Sequence, residues 1–176
     1  AVVILACVIA PQAQAGGLYL YELGTPDVGT AAAGWAARAQ DAGTVFTNPA
    51  GMTRLEKSEL LVGIQPLYLH TEFSPDGNTT TSGPDGDAST WLPAGDLYYV
   101  HNLMPKLKIG ASVVGYFGLG LEYENDWVGR YYVQEIKLQA LGIQPAVAYQ
   151  VTDWLSFGAG VVALYGVLDE KVAVNN

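Results

Sequence analysis

Beyond residue 55 the chain alternates apolar with polar or small residues at a period of two, the mark of strands with one apolar face. Leu60, Val62, Ile64, Pro66 and Tyr68 share a face, with Glu59, Gly63 and Gln65 on the other. Leu107, Ile109, Ala111, Val113 and Phe117 alternate with Lys108, Gly110, Ser112 and Gly118. Leu141, Ile143, Pro145, Val147, Tyr149 and Val151 alternate with Ala140, Gly142, Gln144, Ala146, Ala148 and Gln150. Leu155, Phe157, Ala159, Val161, Ala163 and Tyr165 alternate with Ser156, Gly158, Gly160 and Gly166. A less regular strand covers about Trp91–Leu103. The tetrad Gly-Ile-Gln-Pro occurs at 63–66 and 142–145. Its flanks do not match, so it reflects similar strand chemistry rather than a repeat.

Residues 16–55 carry no such alternation. Thr30 is placed to cap a short helix over Ala31–Ala42, stopped by Gly43. Asn48-Pro49 reads as a second helix start, with Asn as N-cap and Pro at the first helical position. Ala31, Ala32, Ala33, Gly34, Ala36 and Ala37 suit close packing in a confined space. Residues 1–15 read as a leader: ten apolar residues, Pro11, then Ala13-Gln14-Ala15 as a small-x-small cleavage signal. The basic start of such a leader is missing, and the chain reads as a fragment.

Connections alternate in length. Ser74–Thr90 and Glu122–Glu135 are long, whereas Asn102–Lys106 and Thr152-Asp153 are short. Long loops at one end and tight turns at the other suit an outer-membrane barrel. Asp76, Asp85, Asp87, Glu122, Glu124 and Asp126 lie on the long side, Lys106 and Lys108 at the first short turn. Trp91, Trp127, Tyr131, Tyr132 and Trp154 sit near strand ends, where amphipathic rings favour the lipid–water boundary.

Composition agrees. Half the 176 residues are hydrophobic and 14% are charged, against about a quarter in soluble domains. After residue 15 no apolar run approaches the roughly 20 residues of a membrane-spanning helix. The predicted class is therefore an all-β transmembrane antiparallel barrel, with about five strands in residues 56–176, behind a small N-terminal hatch of short helices. Five strands cannot close a barrel, so more are expected after Asn176. The net charge of −9 argues against nucleic acid as a partner. Cys7 is the lone cysteine, so no disulfide framework forms. The expected outward positions should resist charge, at roughly 2–4 kcal/mol for Val113→Arg, and inward ones such as Ser112 should tolerate it.

Gly17-Leu18-Tyr19-Leu20-Tyr21-Glu22-Leu23-Gly24, Asp41-Ala42-Gly43 and above all Asn48-Pro49-Ala50-Gly51-Met52 resemble the long-chain fatty acid outer-membrane transporter family. The likeness extends through Trp91-Leu92-Pro93, Gly115-Tyr116-Phe117-Gly118-Leu119 and Trp154-Leu155-Ser156-Phe157-Gly158. It covers the first third or so of a complete member. The resemblance implies a fourteen-stranded barrel in the outer membrane, plugged by a hatch containing Asn48, Pro49, Ala50 and Gly51. It implies passive uptake of hydrophobic molecules, fatty acids or hydrocarbons, with an inner pocket touched by the hatch N-terminus. Release would be sideways into the membrane, through a gap at a kinked third strand. Leu18, Tyr19, Leu20 and Tyr21 are the expected pocket arm. Gly115, Gly118 and Gly120 are the expected lateral opening, since glycines suit a bulge. The partners expected are hydrophobic small molecules and outer-membrane lipid, with the barrel a monomer.

Rival signals are weaker. Gly158-Ala159-Gly160-Val161-Val162-Ala163 matches a dinucleotide pattern but follows a tight turn rather than opening a helix. Asp85, Asp87, Ser89 and Asp96 stand at calcium-loop spacing, yet Thr90 replaces the required Gly. His70 and His101 fall near strand ends as interfacial polar residues. No catalytic set, metal centre or cofactor is expected. The alternative function is a structural or adhesive barrel without transport, which would have no need of a lumen-filling Ala/Gly segment.

Overall fold

The computed structural model describes residues 25–174. The strands are β1 (Glu59–Leu69), β2 (Glu72–Phe73), β3 (Gly86–Asp87), β4 (Thr90–Met104), β5 (Leu107–Glu122), β6 (Glu135–Thr152), β7 (Leu155–Gly160) and β8 (Ala163–Lys171). The long strands pair antiparallel in the order β1-β4-β5-β6, and β7 and β8 both pair with β6. β2 and β3 make a minor hairpin inside the first long loop. Pro105-Lys106 and Asp153-Trp154 are the tight turns. β4, β5 and β6 have 15, 16 and 18 residues. That exceeds the roughly 9–11 that cross hydrocarbon, so each rises beyond it. Among the described residues no helix is long and apolar enough to cross a membrane.

The alternation divides the sheet as the sequence predicts. Leu60, Val62, Ile64, Tyr68, Ile143, Val147 and Tyr149 are exposed on the outer face. Tyr98, Val100, Val114 and Ala148 are buried on the inner one. β7 and β8 continue in one register along β6, so they are a single strand interrupted at Val161-Val162. The interruption faces Pro145, whose carbonyl accepts from Val161 N at 3.2 Å but which has no N–H to return.

Residues 25–55 lie against the inner face. Ala42, Val45, Met52 and Leu55 form one core with Tyr98, Val100, Val114, Ala146 and Ala148. Full burial of Val45 and Met52 contributes roughly 1.5–3 kcal/mol each. The local structure differs from the expected helix over Ala31–Ala42. A 3-10 turn, Pro26–Thr30, is capped instead by Thr25, whose Oγ1 accepts from Asp27 N at 3.3 Å. Ala31 and Ala32 then turn left-handed, with φ of 49° and 62°, and Gly34 follows at 85°. Alanine is the best helix former, but tertiary closure overrides that preference. Arg38 folds back onto Asp27 as an ion pair, and Trp35 packs edge-on against Phe46 with centroids 5.8 Å apart. Among the described residues the one α-helical turn is α1 (Thr44–Thr47).

Two further positions depart from the sequence reading. Lys108 is not at a turn but lies on the inner face of β5, buried to 4% exposure. Trp127 is not in an interfacial belt. It stacks on Tyr123 at 3.9 Å, meets Phe73 edge-on at 5.8 Å, and donates from Nε1 to Val133 O at 2.7 Å. It is the centre of a small core that ties the two long loops together. Val128 N donates to Pro84 O and Arg130 Nη1 to Ser82 O across the same junction. Trp91, Tyr132 and Trp154 are exposed, as a lipid–water belt requires.

Candidate functional site

Among the described residues, apart from the short break at Val161-Val162, the sheet parts only between β4 and β5. Their ladder runs from Met104↔Leu107 to Asp96↔Val114 and stops, although both strands continue to the long loops. Backbone chemistry explains the break. Pro145 turns its carbonyl toward Val161, so the even-numbered residues opposite on β5 bond to β6 and the odd-numbered ones to β4. In the same alternation β4 turns its odd-numbered residues to β5. Pro93 is one of these, and it offers no donor there. Its partner across β1 is Pro66, which fits because a pair without hydrogen bonds asks nothing of either nitrogen.

The second cause lies in β5. Gly115 pairs with Leu141 and Phe117 with Ala140, leaving Tyr116 as the extra residue of a bulge. The bulge reverses the alternation above it. Phe117 shares the face of buried Ala140, not the lipid face that the plain alternation predicts. Gly118 takes the outward side opposite Gln139. Where the two strands part, a window holds a cavity of about 380 Å³ that extends to β1, β6 and β8. Leu67, Leu92, Phe117, Leu141, Tyr165 and Val167 are among its apolar lining, and Gly95, Gly115 and Gly118 offer bare backbone. Gly95 and Gly115 meet at its lower end. At its upper end a Cβ on Gly120 would touch Leu92 Cδ2 at 3.1 Å. Of Gly115, Gly118 and Gly120, expected together from sequence, the first two line this cavity and the third packs against Leu92 above it.

The second expected group, Asn48, Pro49, Ala50 and Gly51, sits below the window. Pro49 opens the 3-10 helix Pro49–Arg54, as its fixed φ allows. Asn48 does not cap it with its side chain. Its Nδ2 instead donates to Ala36 O at 2.7 Å, pinning the turn-rich segment to the helix start. Gly51 has no room for a Cβ beside Thr44 Oγ1 and Ala39. Ala50 reaches the wall itself: a Cβ on Gly158 of β7 would overlap the Pro49–Ala50 backbone. This packing is why a glycine stands there, and it disposes of the dinucleotide pattern. Thr53 Oγ1 donates to Ser156 Oγ at 2.8 Å, and the buried Gln144 Nε2 to Val45 O at 3.1 Å.

Sequence reasoning missed Phe46 and Tyr116. Phe46, in α1, lies 5.6 Å from Tyr116 and 6.3 Å from Tyr98, ring to ring. The signal was available, because Val113-Val114 already breaks strict alternation just before Tyr116. Leu18, Tyr19, Leu20, Tyr21 and the leader lie outside the described residues. The calcium-loop spacing does not assemble, since Asp96 is buried on the inner face of β4. His70, Glu72 and Asp87 cluster on the exposed hairpin, where they are mutually satisfied. His70 meets Glu72 Oε1 at 3.0 Å and Ser89 Oγ at 2.5 Å, and Ser89 donates to Asp87 at 2.6 Å.

Known proteins resemble this chain in sequence and in fold. The long-chain fatty acid transport protein of Escherichia coli O6:H1 is 27% identical over 170 residues, covering 94% of this chain and 37% of that protein. Outer membrane protein P1 of Haemophilus influenzae is 30% identical over 173 residues, covering 89% of this chain and 37% of that one. A crystal structure of a Pseudomonas aeruginosa FadL homologue superposes with a TM-score of 0.66 at 24% identity. The match covers 86% of this chain and 38% of that one. The chain thus spans less than half the length of these relatives. Over residues 6–171 it matches the family described as outer membrane protein transport protein (OMPP1/FadL/TodX). With a wall of antiparallel strands, a packed inner segment and this match over nearly its whole length, the chain belongs to that outer-membrane β-barrel family.

Proposed function

We propose that the protein takes up hydrophobic molecules, long-chain fatty acids first among them, across the outer membrane by passive diffusion. Residues 16–55 act as the hatch, and the β4–β5 window is the lateral exit. One observation carries this reading: the opening interrupts an otherwise paired wall and is lined by apolar side chains and bare glycine backbone. Such a lining suits an acyl chain, because each CH₂ moved from water to an apolar surface contributes about 0.8 kcal/mol. An opening in the wall lets the chain pass from lumen to lipid without crossing water. Leu18, Tyr19, Leu20 and Tyr21 are proposed as the apolar arm that delivers ligand toward it.

The test is uptake of a labelled long-chain fatty acid by cells producing the complete chain. Gly118→Trp fills the window from its outward side. Changing residues 18–21 to Ser removes the arm. Each should lower uptake severalfold at unchanged surface level. Wild-type rates in both variants would reject the path. No uptake by the unaltered protein would favour the adhesive or structural barrel.

A further inference from the structure

We propose that Phe46 is a positioning residue that selects one of two registers available to the upper half of β5. Tyr116, the extra residue of the bulge, points into the lumen. There it meets the Phe46 ring edge-on at 5.6 Å, with planes 72° apart, and lies so close over Gly142 that a Cβ would overlap its ring. Those two contacts come from different elements, α1 and β6, and both hold Tyr116 inward. While it stays there, β5 is one residue out of phase above it. Phe117 faces the lumen, and glycines 118 and 120 are offset from β4.

The sequence also fits the other register. Without the bulge, Phe117, Leu119 and Leu121 would continue the apolar face begun by Ile109, Ala111 and Val113, and all would meet lipid. The β4–β5 pairing Asp96↔Val114 would extend to place Gly118 opposite Leu92. In the bulged state the two strands are unpaired at this height, and the Leu92 side chain lies against Gly120 instead, its Cδ2 3.1 Å from where a Cβ on that glycine would stand. A strand whose apolar pattern is satisfied in both states is a two-state element, and the hatch residue Phe46 biases it toward the open window. The effect of Phe46 on transport rests on the reading of that window as the exit; the choice of register does not.

Paired cysteines report the register directly. In a Cys7→Ser background of the complete chain, Leu92→Cys with Gly120→Cys links the bulged state, and Leu92→Cys with Gly118→Cys links the regular one. Phe46→Ala removes the ring contact, and Gly142→Ala crowds Tyr116 from the opposite side without altering the hatch sequence. Each should move cross-linking from the 92/120 pair to the 92/118 pair by roughly 2- to 12-fold, the range of an aromatic pair. Phe46→Tyr, which keeps the ring, should restore the 92/120 preference. An unchanged ratio in both variants, or a shift with Phe46→Ala alone, overturns the inference. If cross-linking shifts as stated while fatty acid uptake stays at the wild-type rate, the register choice stands and the exit reading falls.

Discussion

The lower and upper halves of the β4–β5 pair are built from the same kind of strand, yet one is closed and the other open. Below Asp96 and Val114 the strands stay paired down to their turn, with Leu103 alone bulged beside it, and the inner face is roofed by Val45, Met52 and Leu55. Above that point Pro93 withholds a donor and Tyr116 adds a residue, and the strands diverge around a cavity. The lesson is that strand propensity does not decide whether a wall closes. Continuous pairing also needs a donor at every alternate position and an equal residue count on both strands. The upper half fails both conditions within a few residues. The lower half keeps its donors, carries its one surplus residue, Leu103, only beside the turn, and adds a packed layer inside.

The largest expected effect comes from charging the roofed inner face. Ser112 is buried at 1% exposure beneath the hatch layer, so the sequence-based expectation that it tolerates Arg is replaced. Ser112→Arg should cost about 3 kcal/mol, as for an unpaired buried charge, while Leu119→Arg in the open half costs well under that. Urea unfolding of the protein in lipid vesicles measures both. Equal losses would mean that the halves do not differ inside.

Next comes the contact between hatch and wall. Gly158→Leu collides with the Pro49–Ala50 backbone and should cost roughly 1–3 kcal/mol, whereas Gly166→Ala meets only Ala140 Cβ at 3.5 Å and should be near neutral. Heat-induced loss of the folded band on gels reads this directly. If Gly158→Leu leaves that transition in place, the helix Pro49–Arg54 is not seated on β7.

A smaller effect is expected at Asn48. Losing its hydrogen bond to Ala36 should cost about 0.5–1.5 kcal/mol. The informative variant is Asp. A carboxylate cannot donate to a carbonyl, so Asn48→Asp should behave no better than Asn48→Ala. Side-chain capping of Pro49–Arg54 would instead predict rescue by Asp. Protease sensitivity of residues 25–55 separates the two.

The smallest effect tests the open half. Pro93→Val returns the missing donor toward β5 and should stabilise by no more than about 1 kcal/mol while narrowing the window. Amide hydrogen exchange along β5 above residue 115 should slow. Exchange at the wild-type rate would leave the bulge as sole cause of the divergence.

Most of the wall was legible in the sequence because alternation at period two fixes which face each residue takes, and turn chemistry fixes the ends. Leu141 through Val151 needed nothing else. Gly115, Gly118 and Gly120 were grouped through the family likeness, and two of them line the cavity. The hatch was legible as a small-residue segment but not as a structure, because Ala31 and Ala32 adopt a left-handed backbone only where Arg38 closes onto Asp27. The side-chain cap expected of Asn48 was not legible as the bond it makes, since Ala36 lies twelve residues away along the chain.

The strand class, the two faces, the asymmetry of loops and turns, and the family are all written in the linear order of residues. These depend on local periodicity and composition, which a linear pattern contains in full. Tertiary structure alone decided that Tyr116 is the surplus residue, that Phe117 therefore faces inward, and that Phe46 sits against Tyr116. The apolar pattern of upper β5 satisfies either register, so no reading along the chain can choose between them. The choice falls to contacts from Phe46 and Gly142, separated from Tyr116 by dozens of residues, and to a proline on the neighbouring strand.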